Sequence, residues 1–153
     1  MLETLKDLFE SLLQPAAGDA QTDERALRLA TAVVLVEVMR ADETIDERQR
    51  DAVRKALRQE FALADDEAAR LAELAETTSR HATDLYSFTS RIDERFDTVH
   101  KIRIVEEMWR VAYADGRLSD NERHVLWRIA DLLHVPQGAY VNARLRARDA
   151  AGG

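Results

Sequence analysis

The chain has 153 residues, 46% of them apolar, which is one domain's length and enough material for a core. Its 5 Gly and 2 Pro, with no alternating β-branched runs, indicate an all-α protein; without Cys, any metal must be held by oxygen or imidazole. A net charge of −7 argues against nucleic-acid binding, and the longest apolar run, Ala32 to Val36, is too short for a bilayer; with no secretory segment, the expected location is cytoplasmic, away from membranes.

Leu2, Leu5, Leu8, Phe9, Leu12 and Leu13 share a face opposite Glu3, Lys6, Asp7 and Glu10, which predicts an amphipathic first helix. Residues 1–20 therefore read as an N-terminal helix and loop, broken at Pro15, ahead of a helical domain at 21–150. The polar face of this helix is mainly acidic, which favours docking on the domain, or on a second copy, over a membrane surface. A second helix, capped by Thr22 or Asp23, runs through Arg40 with Leu27, Ala30, Val33, Val34 and Val38 inward. Asp46 caps a third, with Ala52, Val53, Ala56, Leu57 and Phe61 at helical spacing. Asp65 starts a fourth, apolar at Ala68, Leu71, Ala72 and Ala75, and the polar stretch Thr77 to Thr83 reads as a connection.

The fifth helix carries Leu85, Phe88, Ile92 and Phe96. The sixth starts near Asp97 and carries Ile102, Val105, Met108, Trp109 and Ala112. Ser119 caps the seventh, which carries Val125, Leu126, Ile129, Ala130 and Leu133. Pro136 opens an eighth, through Val141 and Leu145. Trp109 and Trp127 both fall on apolar faces and are expected in the core. Arg144, Arg146 and Arg148 suit a last helical turn and need no ligand. Short connections imply a compact bundle of about seven to eight helices, with Gly152 and Gly153 fraying at the end.

One segment occurs twice. Ala41-Asp42-Glu43-Thr44-Ile45-Asp46-Glu47-Arg48-Gln49-Arg50 is answered, 73 residues later, by Ala114-Asp115-Gly116-Arg117-Leu118-Ser119-Asp120-Asn121-Glu122-Arg123. Each copy ends one helix and starts another, so the chain reads as two related helix-turn-helix halves, with residues 30–61 and 103–134 expected to superpose. Ser119 with Glu122, and Asp46 with Gln49, stand at capping-box spacing, and each cap is worth roughly 1 kcal/mol. Gly116 offers the positive φ of a tight turn. Capping leaves Asp42 and Asp115 unexplained. An acid just past a helix C-terminus faces the negative end of the macrodipole and calls for a turn hydrogen bond, an Arg partner or a cation.

The run Asp115 to Glu122 matches the back half of an EF-hand loop, but the first ligand positions would be Val111 and Tyr113, so it is not an EF-hand. A hard cation, Ca²⁺ or Mg²⁺, remains a candidate at Asp115 and Glu122, with Asp42 and Asp46, if Glu37, Glu106 or Glu107 complete the shell. The competing reading makes the acidic face a docking surface for a partner protein, without an ion.

The paired Ala-Asp-x-x-aliphatic turns, the stretch Val34-Leu35-Val36-Glu37-Val38-Met39, and Met108-Trp109-Arg110-Val111-Ala112-Tyr113-Ala114-Asp115-Gly116 resemble the TerB (tellurite resistance) family. Its superfamily also holds the N-terminal domain of the DjlA-type co-chaperone. The resemblance covers roughly Arg25 to Ala143. It implies an all-helical bundle, a link to tellurite and other stress responses, and a metal-binding acidic surface. Two departures matter. The first turn has Glu43 and Gln49 where the second has Gly116 and Glu122, which weakens the case for two symmetric ion sites. The chain also lacks the His-Pro-Asp tripeptide of a J-domain.

No nucleophile elbow or Gly-rich phosphate loop is present, and His81, His100, His124 and His134 show no zinc-ligand spacing. The expectation is a non-catalytic, stress-linked binding module without an organic cofactor. It would hold a divalent cation or serve as a co-chaperone-like docking adaptor; the sequence identifies neither partner nor oligomeric state.

Overall fold

A computed structural model describes residues 20–151 apart from 43 and 83, with side chains from residue 23 onward. The expected first helix, its loop, Glu43 and the C-terminal glycines lie outside the described residues. Seven α-helices and no strand are found among them: α1 Ala20–Met39, α2 Glu47–Phe61, α3 Asp65–His81, α4 Tyr86–Arg95, α5 Thr98–Tyr113, α6 Asp120–Leu132 and α7 Gln137–Ala150. The all-α bundle expected from the sequence is the observed fold.

The centre of the bundle is α1, which packs against α2, α3, α4, α5 and α6. Its inward set is wider than one face: Leu29, Ala32, Leu35 and Val36 are as buried as Val33, Val34 and Val38. A helix apolar all round must be enclosed by others. Thr31, the fully buried polar residue within that run, is satisfied by donating to Leu27 O at 2.9 Å. On α5, the core-facing residues include Ile104, Val105, Met108, Trp109 and Val111.

Several expectations need correction. Because α1 begins at Ala20, Thr22 and Asp23 both lie in its first turn instead of capping it. The Asp23 carboxylate pairs with Arg91 at 3.2 Å and Arg95 at 2.8 Å, tying α1 to α4. Thr77 to Ser79 is helical, not a connection. Thr77 and Thr78 donate back to Glu73 O and Leu74 O, and Ser79 joins Glu37 of α1 and Arg40 just beyond it, so polarity is compatible with a packed last turn. Trp127 is not core, being 54% exposed. Val141 and Leu145 of α7 are exposed as well. That helix instead buries Ala143 and Ala147, small residues that let it approach α5. Tyr140 packs on Trp109 at 5.2 Å between ring centroids, and the Arg144 guanidinium sits 5.2 Å from the Trp109 ring centroid. Pro136 is the cap position before α7, one residue earlier than expected.

Two helix ends carry non-Gly residues in the left-handed region, Ala62 (φ 53°) and His134 (φ 61°). At Ala62 the reward is a closed C-terminus: both Ala62 N and Leu63 N donate to Arg58 O.

Candidate functional site

Both copies of the repeated segment form helix-turn-helix corners, α1 to α2 and α5 to α6. Ser119 has an extended backbone, its Oγ accepts from Glu122 N at 3.0 Å, and its own N donates to Glu122 Oε1 at 2.9 Å. This is a complete capping box. In the first copy Asp46 Oδ1 accepts from Arg48 N at 2.8 Å, while Asp46 N reaches Gln49 Oε1 at 3.5 Å, a looser closure.

The two boxes touch. Gln49 Nε2 donates to Glu122 Oε2 at 2.6 Å and also faces Val111 O at 3.4 Å. Gln49 and Glu122 are both fully buried. Their separation in sequence, 73 residues, equals the offset between the copies. This contact gives a physical reason for Gln in the first copy. Two buried glutamates at hydrogen-bond distance would have to share a proton, whereas an amide can donate to the carboxylate. Burial pushes the Glu122 carboxyl upward, the hydrogen bonds from Ser119 N and Gln49 pull it back, and the charges of Asp42 and Asp115 raise it again.

Over this buried bond lies an open cleft of about 750 Å³. Its walls come from matching positions of the two copies: Asp42 and Asp115, Thr44 and Arg117, Asp46 and Ser119, Arg48 and Asn121. Asp115 Oδ1 accepts from Arg117 N at 3.1 Å, the local turn bond that an acid beyond a helix end calls for. Asp46 is held by Arg48 through Nε at 3.1 Å and Nη2 at 3.0 Å. Those hydrogen bonds place its carboxyl below the usual range. Arg48 also feels the charge of Asp115 across the cleft.

Of the four residues expected to ligate a cation, Asp42, Asp46 and Asp115 line this one cleft, whereas Glu122 lies beneath it with Oε2 turned to Gln49. The residues offered to complete the shell lie elsewhere. Glu37 binds Arg40 and Ser79, Glu106 binds Arg110 and Arg146, and Glu107 lines a separate groove. Among the described residues, no three His, Asp or Glu side chains are grouped to hold a metal ion as they stand. Arg48, Arg117, Thr44 and Asn121 were not singled out in the sequence. The signal was present, since each occupies the same offset in one copy as a second cleft residue does in the other.

The C-terminal arginines have internal partners. Arg144 donates to the Tyr113 hydroxyl at 2.9 Å, and Arg146 pairs with Glu106 at 2.5 Å. Two histidines pair with acids, His100 with Asp97 and His134 with Asp93. No described helix is long and apolar enough to cross a membrane.

No curated protein and no solved structure matches the chain. The family described as tellurite resistance protein TerB matches residues 28–145, spanning both turns and the helices that carry them. The chain therefore belongs to the TerB family.

Proposed function

We propose that this TerB-family chain is a non-catalytic, cytoplasmic module of the tellurite and stress response, and that its working surface is the cleft between the two turns, where a divalent cation binds weakly. The observation that carries this reading is the presence of Asp42, Asp46 and Asp115, from segments far apart in sequence, on the walls of one cleft. Hard cations such as Ca²⁺ and Mg²⁺ take carboxylate, hydroxyl, amide and water oxygens at about 2.0–2.6 Å. Thr44, Ser119 and Asn121 supply neutral oxygens beside the acids.

Arg48 is the internal competitor, because it already neutralises Asp46. Binding of an ion would require that pair to open. The pair lies at the surface, where water screens it, so opening it costs little. Isothermal titration of chelator-treated protein with Ca²⁺ and Mg²⁺ tests the reading. Asp115→Asn should weaken binding about tenfold, and Arg48→Gln should strengthen it. No heat at millimolar metal would remove the cation.

A second reading rests on the mixed charge of the same walls. Arg48 and Arg117 stand among the acids, a pattern suited to a partner protein with charges of both signs. On that reading the cleft is a docking or co-chaperone-like adaptor surface, and Arg48→Gln would disturb partner binding without creating affinity for metal.

A further inference from the structure

A second concavity, of about 500 Å³, lies between α2, α5 and the end of α7. It shares Arg48 with the acidic cleft and otherwise has a different character. Its apolar lining includes Ala52, Ala56, Tyr113 and Ala147, and Lys55 and Arg110 stand exposed on it. Arg48 and Arg110 have acidic partners in Asp46 and Glu106. Among the described residues Lys55 forms no ion pair.

The unexpected member is Glu107. Only 5% of it is exposed, yet it lines the groove, and its Oε2 is buried without a hydrogen-bond partner. A buried carboxyl oxygen with no partner is costly, by roughly 1–3 kcal/mol, and calls for an explanation. A groove of this size, in which small apolar side chains lie beside convergent polar groups, falls in the range of small-molecule sites.

We propose that this groove binds a small organic anion, its apolar body resting on the alanines and Tyr113, its charge met by Lys55 and Arg110, and a polar end accepting a hydrogen bond from the Glu107 carboxyl. Cation charge on the walls selects an anion over an amine. Glu107 can serve as donor only while it is protonated. Burial raises its pKa to about 8, helped by Glu60 and Glu106 and opposed by Arg110 and Arg103. At neutral pH it is therefore mostly the neutral acid. The charges that bear on it come from Glu60 of α2 and from Arg103, Glu106 and Arg110 of α5, and Lys55 and Arg48 of α2 share the groove with it. From α7, Arg146 pairs with Glu106.

The test is an amide-resolved NMR titration of the full chain with benzoate, an anion throughout the pH range, and with uncharged benzamide as control. Saturable shifts should centre on Ala52, Ala56, Tyr113 and Ala147, and benzamide should bind more weakly. Lys55→Ala should weaken benzoate binding several-fold. Between pH 6.5 and pH 9 the wild-type affinity should fall about tenfold as Glu107 loses its proton. Glu107→Gln, which keeps a neutral donor, should bind with little pH dependence. Absence of saturable shifts, shifts centred on another face, or equal pH dependence in Glu107→Gln would overturn the proposal.

Discussion

Glu107 keeps its proton to about pH 8 in the folded chain, against an ordinary value of 4.5. Between those values the folded state holds a proton that the unfolded state has released, so stability falls as pH rises across this window and is lowest above it. Each unit of such a shift is worth about 1.4 kcal/mol, which makes the total a few kcal/mol. Glu107→Gln removes the titrating group while keeping the shape. Chemical denaturation should therefore show wild type losing stability from pH 5 to pH 9 and the variant losing much less, so that the variant is the more stable protein at pH 9. Parallel curves would mean that Glu107 is solvated in solution. Glu122 is buried too, but in different company: Ser119 N and Gln49 give its oxygens donors. The sequence marked Glu122 through its capping spacing. It gave Glu107 no comparable signal, because a carboxylate at helical spacing among Glu106, Met108 and Trp109 looks like any boundary position.

At the scale of elements, helix ends were legible wherever a local rule sets them. Asp46 and Ser119 cap as expected, and Asp97 caps α5 by accepting from His100 N at 2.9 Å. Where tertiary contacts decide, local reading failed: the Thr77 to Ser79 turn is helical and packed, with Ser79 met by Glu37 of α1 and by Arg40 just past its end. The same limit explains α7. Large aliphatics usually mark the buried face, yet Val141 and Leu145 are exposed, and the short side chains of Ala143 and Ala147 face α5. The C-terminus of α2 supplies a direct test. Ala62 has φ 53°, a conformation that costs an L-residue roughly 1 kcal/mol and glycine little. Ala62→Gly should therefore raise stability by up to about 1 kcal/mol in denaturant unfolding, reduced by the greater freedom glycine has in the unfolded chain. A loss of more than about 1 kcal/mol would show that the Ala62 methyl matters more than the backbone strain.

At the scale of the molecule, the repeat is the feature that joins sequence to function. Equal offsets in the two copies predicted a turn in each, but not that the turns would face one another. That placement comes from α1 and α5 packing together in the core and from the Gln49–Glu122 bond beneath the turns. The central claim is that two acidic turns of this TerB-family chain act as one cation site. The most direct measurement follows backbone amides by NMR while Ca²⁺ or Mg²⁺ is added to chelator-treated protein. A single shared site predicts that amides of Asp42, Thr44 and Asp46 move together with those of Asp115, Leu118 and Ser119, on one binding curve, and that Asp115→Asn weakens the response of both turns. Shifts confined to one turn, two unrelated curves, or no shift at millimolar metal would contradict it.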